Sequence, residues 1–254
     1  MEADLERRFG GVARLYGAEA LQRFRSAHVC VIGIGGVGSW AAEALARSAI
    51  GHLTLIDLDH VAESNANRQI HALGDEFGKA KVVAMAERIH AINPACVVDV
   101  IEEFVAEDNL DALLGRGYDH VLDAIDQTRV KAALIAWCRL HGVRLITTGS
   151  AGGQVDPSRI RIDDLSRTIQ DPLASRIRSL LRKNYGFPRD RKKKFGIECV
   201  YSEEPLKYPE SEQACDVDQG GITGLNCAGF GSSVCVTASF GFIAASRVLT
   251  QLAK

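Results

Sequence analysis

A glycine-rich turn between a short apolar run and an alanine-rich run constrains the fold of this chain more than any other feature. Gly33, Gly35 and Gly38 match the pattern G-x-G-x-x-G, which on its own is a weak signal of dinucleotide binding. The preceding residues 28–32 have the composition of a buried strand, and residues 39–49 have that of a helix. A strand, a glycine turn and a helix in this order place backbone N–H groups where a phosphate can bind.

An acidic residue after the second apolar run fits the same interpretation. Residues 53–56 are predicted to form a strand, and Asp57 follows them directly, 19 residues after Gly38. In dinucleotide-binding folds a carboxylate roughly 20 residues downstream of the glycines accepts hydrogen bonds from a ribose. We therefore predict a nucleotide site here, rather than only a tight connection between a strand and a helix.

Amide and cationic side chains after Asp57 indicate phosphate chemistry rather than hydride transfer. Asn65, Asn67 and Arg68 follow within a dozen residues, and Lys81 comes later. A guanidinium and an ammonium can neutralise the charge that develops on phosphorus oxygens during phosphoryl or nucleotidyl transfer. The alternatives are a surface ion pair for Arg68 and a solvated helix face for Lys81. An NAD-dependent oxidoreductase is the weaker alternative for the whole site.

A further carboxylate is a candidate metal ligand. Residues 121–124 predict a strand, and Asp126 follows at its carboxyl end, the edge at which open α/β sheets bind ligands. Mg²⁺ prefers one or two carboxylates together with phosphate oxygens and water. We predict Asp126 as the ligand and Asp123 as a supporting or structural residue. Alternatively, Asp126 is the N-cap of the helix predicted over residues 128–141.

Predicted helices and strands alternate along the first 150 residues. Besides the elements above, the pattern predicts helices over 17–26, 81–91 and 108–114 and strands over 97–101 and 144–148. This alternation is typical of an α/β, Rossmann-like, doubly wound and mostly parallel sheet with helices on both faces. We divide the chain into an N-terminal helical segment (1–26), a nucleotide-binding core (27–154) and a C-terminal extension (155–254) of the same compact unit.

Positive charge is concentrated in the C-terminal extension, although the whole chain has a net charge of −2. Asp171 and Pro172 predict the start of a helix, and the window 176–194 then holds nine basic residues and one acidic residue. The basic residues are Arg176, Arg178, Arg182, Lys183, Arg189, Arg191, Lys192, Lys193 and Lys194. Such a window is typical of a protein that binds a polyanion; the alternative is a solvated helix and loop.

An uncharged segment follows at residues 219–246 and is long enough to span a bilayer. It contains many Gly, Ser and Thr residues, and only 234–245 is strongly apolar. We therefore expect a loop and then a buried helix, in the core or in a dimer interface, and no membrane contact.

The seven cysteines are scattered and none forms a C-x-x-C pair, so we expect neither a zinc site nor a disulfide framework. This cysteine usage and an acidic, polar start indicate a cytoplasmic protein. Cys227 is the thiol with the best prospect of a chemical role, although a small buried side chain is the simpler interpretation.

Taken in order, the motifs G-I-G-G-V-G-S, D-x-D-x-V, S-N-x-N-R-Q, G-x-x-K and D-A-I-D resemble the adenylation domain of the ubiquitin-activating-enzyme superfamily over residues 8–150. Its bacterial members adenylate the C-terminus of sulfur-carrier proteins. The resemblance implies binding of ATP and Mg²⁺, with Arg68, Lys81 and Asp126 as catalytic residues and Asp126 on the metal. The implied ATP site comprises Gly33, Gly35, Gly36, Gly38, Asp57, Asp59, Ser64, Asn65, Asn67, Arg68, Lys81 and Asp126.

A closer resemblance covers nearly the whole chain and points to the tRNA threonylcarbamoyladenosine dehydratase branch. It rests on the runs R-F-G-G, A-R-L-Y-G, N-R-Q-I-H-A-L and T-I-Q-D-P-L and on the region 229–231. The branch implies ATP-dependent cyclisation of the threonylcarbamoyl group next to the tRNA anticodon through an acyl adenylate. It also implies a homodimer and links to a sulfur-acceptor protein and a cysteine desulfurase.

Two departures from the wider superfamily matter. The zinc cysteines of the sulfur-carrier-activating relatives are absent, and Gly11 stands where those relatives have the second arginine of an N-terminal R-Y-x-R-Q run. Arg8 and Arg14 are the alternatives for an arginine that reaches a partner subunit's ATP. Two other functions stay open at this point: activation of a ubiquitin-like sulfur carrier, and a nucleotide-binding scaffold for a desulfurase system.

Overall fold

The computed structural model describes residues 4–208 and 230–254. Its strands are β1 (His28–Ile32), β2 (His52–Ile56), β3 (Val97–Ile101), β4 (His120–Asp123), β5 (Leu145–Thr148), β6 (Ile160–Asp164) and β7 (Glu198–Ser202). Its α-helices are α1 (Leu5–Tyr16), α2 (Ala18–Ser26), α3 (Gly38–Arg47), α4 (Lys81–Ile92), α5 (Leu110–Leu114), α6 (Thr128–His141), α7 (Pro172–Asn184) and α8 (Val234–Leu252).

The strands form a sheet in the order β3-β2-β1-β4-β5-β7-β6 within the described residues. All neighbours pair in parallel except β6, which runs antiparallel to β7 at one edge. The strand order reverses between β1 and β4, and in such sheets the crevice at the reversal is where ligands bind. The predicted mostly parallel α/β sheet is thereby confirmed.

Helices cover both faces of the sheet and bury two apolar clusters. Residues of α3, α4 and α8 pack with β1 and β2 on one face, and residues of α5, α6 and α7 pack on the other. The strands are therefore apolar on both sides, which explains why β1 reads as a nearly continuous hydrophobic run.

The apolar helix α8 packs closely against α3. A Cβ on Gly241 would lie 2.5 Å from the Val37 carbonyl oxygen and 2.9 Å from the Ala41 nitrogen, so glycine allows the two backbones to approach. By length and composition α8 could cross a membrane, but half of its apolar window is buried in the fold and its Arg247 pairs with Glu198 of β7. The prediction of a buried helix after residue 234 is confirmed.

Strands β6 and β7 were not predicted from the sequence, and helix α1 was predicted only as part of the N-terminal helical segment 1–26. Helix α1 contains Gly10 and Gly11, which lower helix propensity, and Phe9 is its fully buried residue. Strand β6 has the sequence I-R-I-D-D at the sheet edge, with exposed positions on both faces, so its pattern lacks a clear period. Strand β7 carries a single charge in an apolar run of five residues, a length at which strand and helix are hard to distinguish.

Candidate active site

A cavity of about 250 Å³ opens at the carboxyl ends of β1, β2 and β4, at the reversal of strand order. It is lined by eight of the twelve residues predicted for the ATP site. These are Gly33, Gly35, Gly36, Asp57, Asp59, Arg68, Lys81 and Asp126. Residues far apart in sequence are thus brought together as the motif order indicated.

The glycine turn requires glycine at two positions for different reasons. Gly33 has a φ of +85°, which side-chain-bearing residues rarely adopt, and its N–H donates to the Ile56 carbonyl at 2.9 Å. A Cβ on Gly38 would lie 1.8 Å from the Gly33 carbonyl oxygen, so Gly38 shapes the turn without lining the cavity. Helix α3 begins at Gly38 with no side-chain cap, and its positive N-terminal end lies beside the cavity.

The Asp57 carboxylate holds this turn to the end of β2. It accepts hydrogen bonds from the Ile34 N–H at 2.6 Å and from the Asp59 N–H at 2.9 Å. Burial raises the pKa of Asp57, and the nearby ammonium of Lys81 opposes that rise. A carboxylate has about four acceptor sites, so Asp57 can fix the loop and still accept a hydrogen bond from a bound hydroxyl.

Lys81 is the first residue of α4, and its side chain is buried. Its Nζ lies 2.7 Å from Asp59 Oδ2, and the lysine side chain is 7% exposed while that of Asp59 is 59% exposed. The alternative of a solvated helix face for Lys81 is therefore wrong. The ammonium reaches the cavity on the side of the second strand, where it compensates the carboxylates of Asp57 and Asp59.

Arg68 lies against the glycine turn and is partly buried. Its Nη1 donates to the Ser64 carbonyl and to Asn67 Oδ1, each at 2.8 Å, rather than to a carboxylate. The aliphatic part of the Arg68 side chain packs against the glycine turn: a Cβ on Gly36 would lie 3.1 Å from Arg68 Cγ. Burial lowers the pKa of this guanidinium, which nevertheless stays charged at neutral pH.

Three predicted residues shape the segment that carries Arg68 and do not line the cavity. Asn65 is buried, and its Oδ1 accepts from the Ala62 N–H at 3.1 Å. Asn67 is exposed and donates through Nδ2 to the Ser232 carbonyl at 3.2 Å. Ser64 contributes its backbone carbonyl to Arg68. These contacts position Arg68 and join this segment to the start of α8.

Asp126 lines the cavity beyond the end of β4. The residue at the N-cap position of α6 is Gln127, one residue after the position that the alternative assigned to the cap. Asp126 is partly buried and lies at the carboxyl edge of the sheet, where a carboxylate can meet a cation and a phosphate together.

Asp123 forms a fully buried ion pair with Lys131, which was not singled out in the sequence. The Lys131 Nζ lies 2.9 Å from Asp123 Oδ2 and both side chains are 0% exposed. Thr147 donates to the same carboxylate at 2.7 Å, and Lys131 also donates to the Ile125 carbonyl at 2.9 Å. The structural role predicted for Asp123 is confirmed, and the pair holds the loop that presents Asp126.

The C-terminal extension completes the cavity wall with Phe230, Ser232 and Thr237, and Gln69 lines it beside Arg68. A loop after β5 adds Ser150, whose N–H donates to Asp171 Oδ2 at 2.9 Å. The other oxygen of Asp171 accepts from the Ala174 N–H at 2.9 Å, which confirms the predicted cap of α7. Of these wall residues, Gln69 has a sequence signal in S-N-x-N-R-Q and Phe230 lies in the region 229–231, whereas Ser150, Ser232 and Thr237 lie outside the recognised motifs.

The basic window continues from α7, and its members differ in exposure. Arg178 is partly buried and donates to Thr168 Oγ1, while Arg182 is partly buried, donates to the Pro188 carbonyl and lies over the Phe195 ring. The exposed members are Arg176, Lys183, Arg189, Arg191, Lys192, Lys193 and Lys194. Seven exposed cations therefore remain for an external partner.

The thiols in the described ranges lie away from the cavity lining. Cys30, Cys96, Cys138 and Cys199 are buried and free, and Cys235 is exposed. Burial raises the pKa of Cys96 and of Cys138 to about 12, which leaves them unreactive at neutral pH. Cys215 and Cys227 lie outside the described residues, so the prediction for Cys227 stays untested.

A second group of potential metal donors lies at the opposite, amino-terminal edge of the sheet. The rings of His28 and His52 stack with centroids 3.4 Å apart. His52 Nε2 lies 2.8 Å from Asp99 Oδ2, and His28 Nε2 lies 2.8 Å from Thr54 Oγ1. Hydrogen bonds within the group account for the ring positions, and the group is not part of the cavity.

Comparison with known proteins finds a matching family and similar relatives. The family model described as "ThiF family" matches residues 11–251. The chain is 51% identical to a tRNA threonylcarbamoyladenosine dehydratase of Haemophilus influenzae, over 98% of this chain and 94% of the relative. A crystal structure of the Escherichia coli tRNA N6-threonylcarbamoyladenosine dehydratase in complex with ATP is similar, with a TM-score of 0.89 and 51% identity over 99% of this chain and 96% of that one. The AMP complex of the same E. coli protein has a TM-score of 0.88 and 51% identity, and covers 98% of this chain and 96% of that one.

The buried side chain of His71 predicts a measurable sensitivity of folding stability to acid. It is 2% exposed, neither ring nitrogen has a partner among the described residues, and burial together with Lys81 and Arg88 lowers its pKa to about 4. The unfolded chain takes up this proton near pH 6.5, so folded-state stability falls as the pH drops from 6.5 towards 4. Between pH 7 and pH 5 this linkage amounts to about 2 kcal/mol.

Substitution His71→Leu should remove that share of the acid destabilisation. Urea unfolding of wild type and variant at pH 7 and pH 5 measures it, and the variant should lose about 2 kcal/mol less between the two values. His141→Leu, an exposed histidine, is the matched control and should leave the wild-type difference in place. Equal pH dependence in His71→Leu and wild type would show that His71 titrates normally.

Proposed function

We propose that this chain, which belongs to the ThiF family, binds ATP and uses it to dehydrate threonylcarbamoyladenosine in tRNA to the cyclic form. The observation that carries the proposal is the convergence of Arg68, Lys81 and Asp126 on one cavity beside the glycine turn. Two relatives that are each 51% identical to this chain support it: the H. influenzae tRNA threonylcarbamoyladenosine dehydratase, and the E. coli tRNA N6-threonylcarbamoyladenosine dehydratase whose structure contains ATP.

In the proposed complex the nucleotide lies along the glycine turn. Asp57 at the end of β2 accepts from a ribose hydroxyl, and the N-terminus of α3 faces a phosphate. Arg68 and Lys81 both line the cavity beside this turn, so the two cations can contact the phosphate chain. Bound phosphate would draw Lys81 Nζ from Asp59, whose side chain is exposed to water and can lose its partner at low cost.

The reaction begins with attack of the threonyl carboxylate on the α-phosphorus of ATP. The bond between the α- and β-phosphates breaks and pyrophosphate leaves, which gives an acyl adenylate. The neighbouring carbamoyl group then attacks the acyl carbon through its oxygen or nitrogen, a five-membered ring closes, AMP leaves, and one N–H proton is lost. The oxygen of the water removed overall stays in AMP. Ring closure is intramolecular, so it mainly requires correct orientation.

The side chains of the cavity supply charge rather than covalent chemistry. Arg68 and Lys81 are both positively charged and partly or wholly screened from water, so they stabilise the negative charge that builds up on the phosphorus oxygens. Among residues 4–208 and 230–254 no thiol lines the cavity, and the intramolecular ring closure needs no cysteine to carry the acyl group.

Asp126 fits a role in holding Mg²⁺. It lies at the carboxyl end of β4 on the cavity lining, and one carboxylate completed by phosphate oxygens and water is a set of donors that Mg²⁺ accepts. A bound Mg²⁺ would add positive charge at the phosphates. The ion pair of Asp123 and Lys131 beneath Asp126 keeps the loop in place without offering a second carboxylate to the metal.

The seven exposed basic residues of the window 176–194 fit the phosphates of a tRNA. Asp171, before the first residue of α7, holds the N–H of Ser150 on the cavity lining, and α7 has 13 residues. At 1.5 Å per residue its far end lies about 20 Å away. A tRNA whose modified base enters the cavity could therefore contact the basic loop at the same time.

The remaining parts of the proposal follow the family. A homodimer, a cytoplasmic location, and links to a sulfur-acceptor protein and a cysteine desulfurase belong to it, as does the division into segments 1–26, 27–154 and 155–254. Activation of a sulfur carrier is less favoured because the basic window 176–194 suits a nucleic acid. A scaffold without chemistry is less favoured because two cationic side chains, Arg68 and Lys81, line the cavity.

Loss of the Lys81 ammonium should abolish most of the activity. Incubation with ATP, Mg²⁺ and tRNA bearing threonylcarbamoyladenosine, followed by mass analysis of the nucleosides, should show loss of one water with the wild-type protein. Lys81→Ala should lower the rate by about 10²- to 10³-fold, as deletion of one charge-stabilising donor does elsewhere.

Lys79→Ala is the matched control for that experiment. Lys79 lies two residues earlier and pairs with Glu76 and Glu87 away from the cavity lining, so its loss should change the rate by no more than about twofold. A wild-type protein that releases AMP only with a carrier protein, and not with tRNA, would overturn the proposed function in favour of sulfur-carrier activation.

Neutralisation of the basic loop should weaken tRNA binding and its salt dependence. Conversion of Lys192, Lys193 and Lys194 to Gln removes three exposed cations, and the slope of log affinity against log salt should fall by about 2. Arg7, Arg116 and Lys254 are exposed cations outside the window, and their triple Gln variant carries the same change of charge. Filter binding over a salt series measures both; equal slopes in the two variants would exclude a specific contact with the loop.

A further inference from the structure

Two buried polar side chains in the cavity wall have no partner for their oxygens among residues 4–208 and 230–254. Gln69 is 6% exposed and Thr237 is 4% exposed, and neither Gln69 Oε1 nor Thr237 Oγ1 has a hydrogen-bond partner. Buried polar atoms are satisfied in the great majority of protein interiors. Both residues line the cavity, so a bound molecule can supply the missing partners.

The two side chains come from different parts of the chain and meet at the glycine turn. The Gln69 Nε2 lies 4.0 Å from the position of a Cβ on Gly35, and Thr237 Cβ lies 3.4 Å from that of a Cβ on Gly36. Thr237 is held in the first turn of α8, where its N–H donates to the Ser233 carbonyl at 3.0 Å. An amide and a hydroxyl-bearing side chain thus lie at adjacent positions of the glycine turn, and the stem of Arg68 lies at the same turn position, Gly36, as Thr237 does.

The chemical character of this pair differs from that of the phosphate-facing residues. Phosphates are matched by the cations Arg68 and Lys81 and by backbone N–H groups, whereas an amide and a hydroxyl are neutral and offer both donors and acceptors. Their natural complement is a neutral group with both donors and acceptors. In the proposed reaction the carbamoyl group and the hydroxyl of the threonyl moiety have this character, and ribose hydroxyls are met by Asp57 at the end of β2.

We propose that Gln69 and Thr237 form the subsite that orients the threonylcarbamoyl group of the substrate, and not a part of the ATP site. This inference rests on the proposed function. Hydrogen bonds from the pair would hold the carbamoyl group over the acyl carbon, so that ring closure follows adenylation. The two residues position the substrate and take no part in bond making.

Thr237→Val and Gln69→Met test the subsite because each keeps the side-chain volume and removes the polar atoms. Each variant should lower kcat/KM for the modified tRNA by about tenfold or more, while ATP affinity, measured by titration calorimetry, stays within about twofold. Since the hydroxyl of Thr237 has no hydrogen-bond partner among the residues that the structure describes, its removal should leave the thermal stability unchanged or raise it. Thr237→Ser, which keeps the hydroxyl, should restore most of the activity.

The outcomes separate this inference from the function on which it rests. A wild-type protein that forms no cyclic product refutes the proposed function. If the wild type is active, wild-type kcat/KM in both Thr237→Val and Gln69→Met overturns the subsite. A fall in ATP affinity that matches the fall in kcat/KM also overturns it, because the pair would then contact the nucleotide. A loss of thermal stability in Thr237→Val that Thr237→Ser does not restore assigns Thr237 a packing role and overturns its place in the subsite.

Discussion

The hydrogen bond from the Ile34 N–H to the Asp57 carboxylate, 2.6 Å long, is the contact on which the cavity depends. It joins the glycine turn after β1 to the end of β2, and the Asp59 N–H on the same carboxylate fixes the segment that carries the partner of Lys81. Burial raises the pKa of Asp57 while Lys81 opposes that effect. One acidic side chain thereby sets the shape of the turn, the position of a cation and the charge balance between them.

A second buried acid, Asp123 at the end of β4, fixes a loop and a cation on the other side of the strand reversal. Asp123 and Lys131 form an ion pair with both side chains fully buried, and Lys131 also holds the Ile125 carbonyl. Removal of one partner of such a pair leaves an uncompensated buried charge, which is strongly destabilising. Of the two acids in D-A-I-D, Asp123 therefore has a structural role, and Asp126 lines the cavity.

Much of this architecture follows from local sequence. Gly33 and Gly38 are required by a positive φ and by a close backbone approach, and Asp57 and Asp126 follow strands whose carboxyl ends must meet at one edge of a parallel sheet. These constraints act over short stretches, so the glycine turn and the parallel sheet could be predicted from the residues. The clustering of Arg68, Lys81 and Asp126 was indicated by the order of the motifs and by the family resemblance that they carry.

The rest depends on contacts between distant segments. Lys131 lies in an apolar helix, and its burial makes sense only once α6 packs over Asp123. Thr237 reaches the glycine turn because α8 packs against α3, and its neighbours in sequence do not indicate this. The edge strand β6 mixes charged and apolar residues on both faces and forms through pairing with β7.

The decisive measurement follows the oxygen atoms of the reaction. With ¹⁸O in the threonyl carboxylate of the modified tRNA, attack on the α-phosphorus places one ¹⁸O atom in the AMP that is released. Label found instead in inorganic phosphate, with ADP as the nucleotide product, would contradict the acyl-adenylate mechanism.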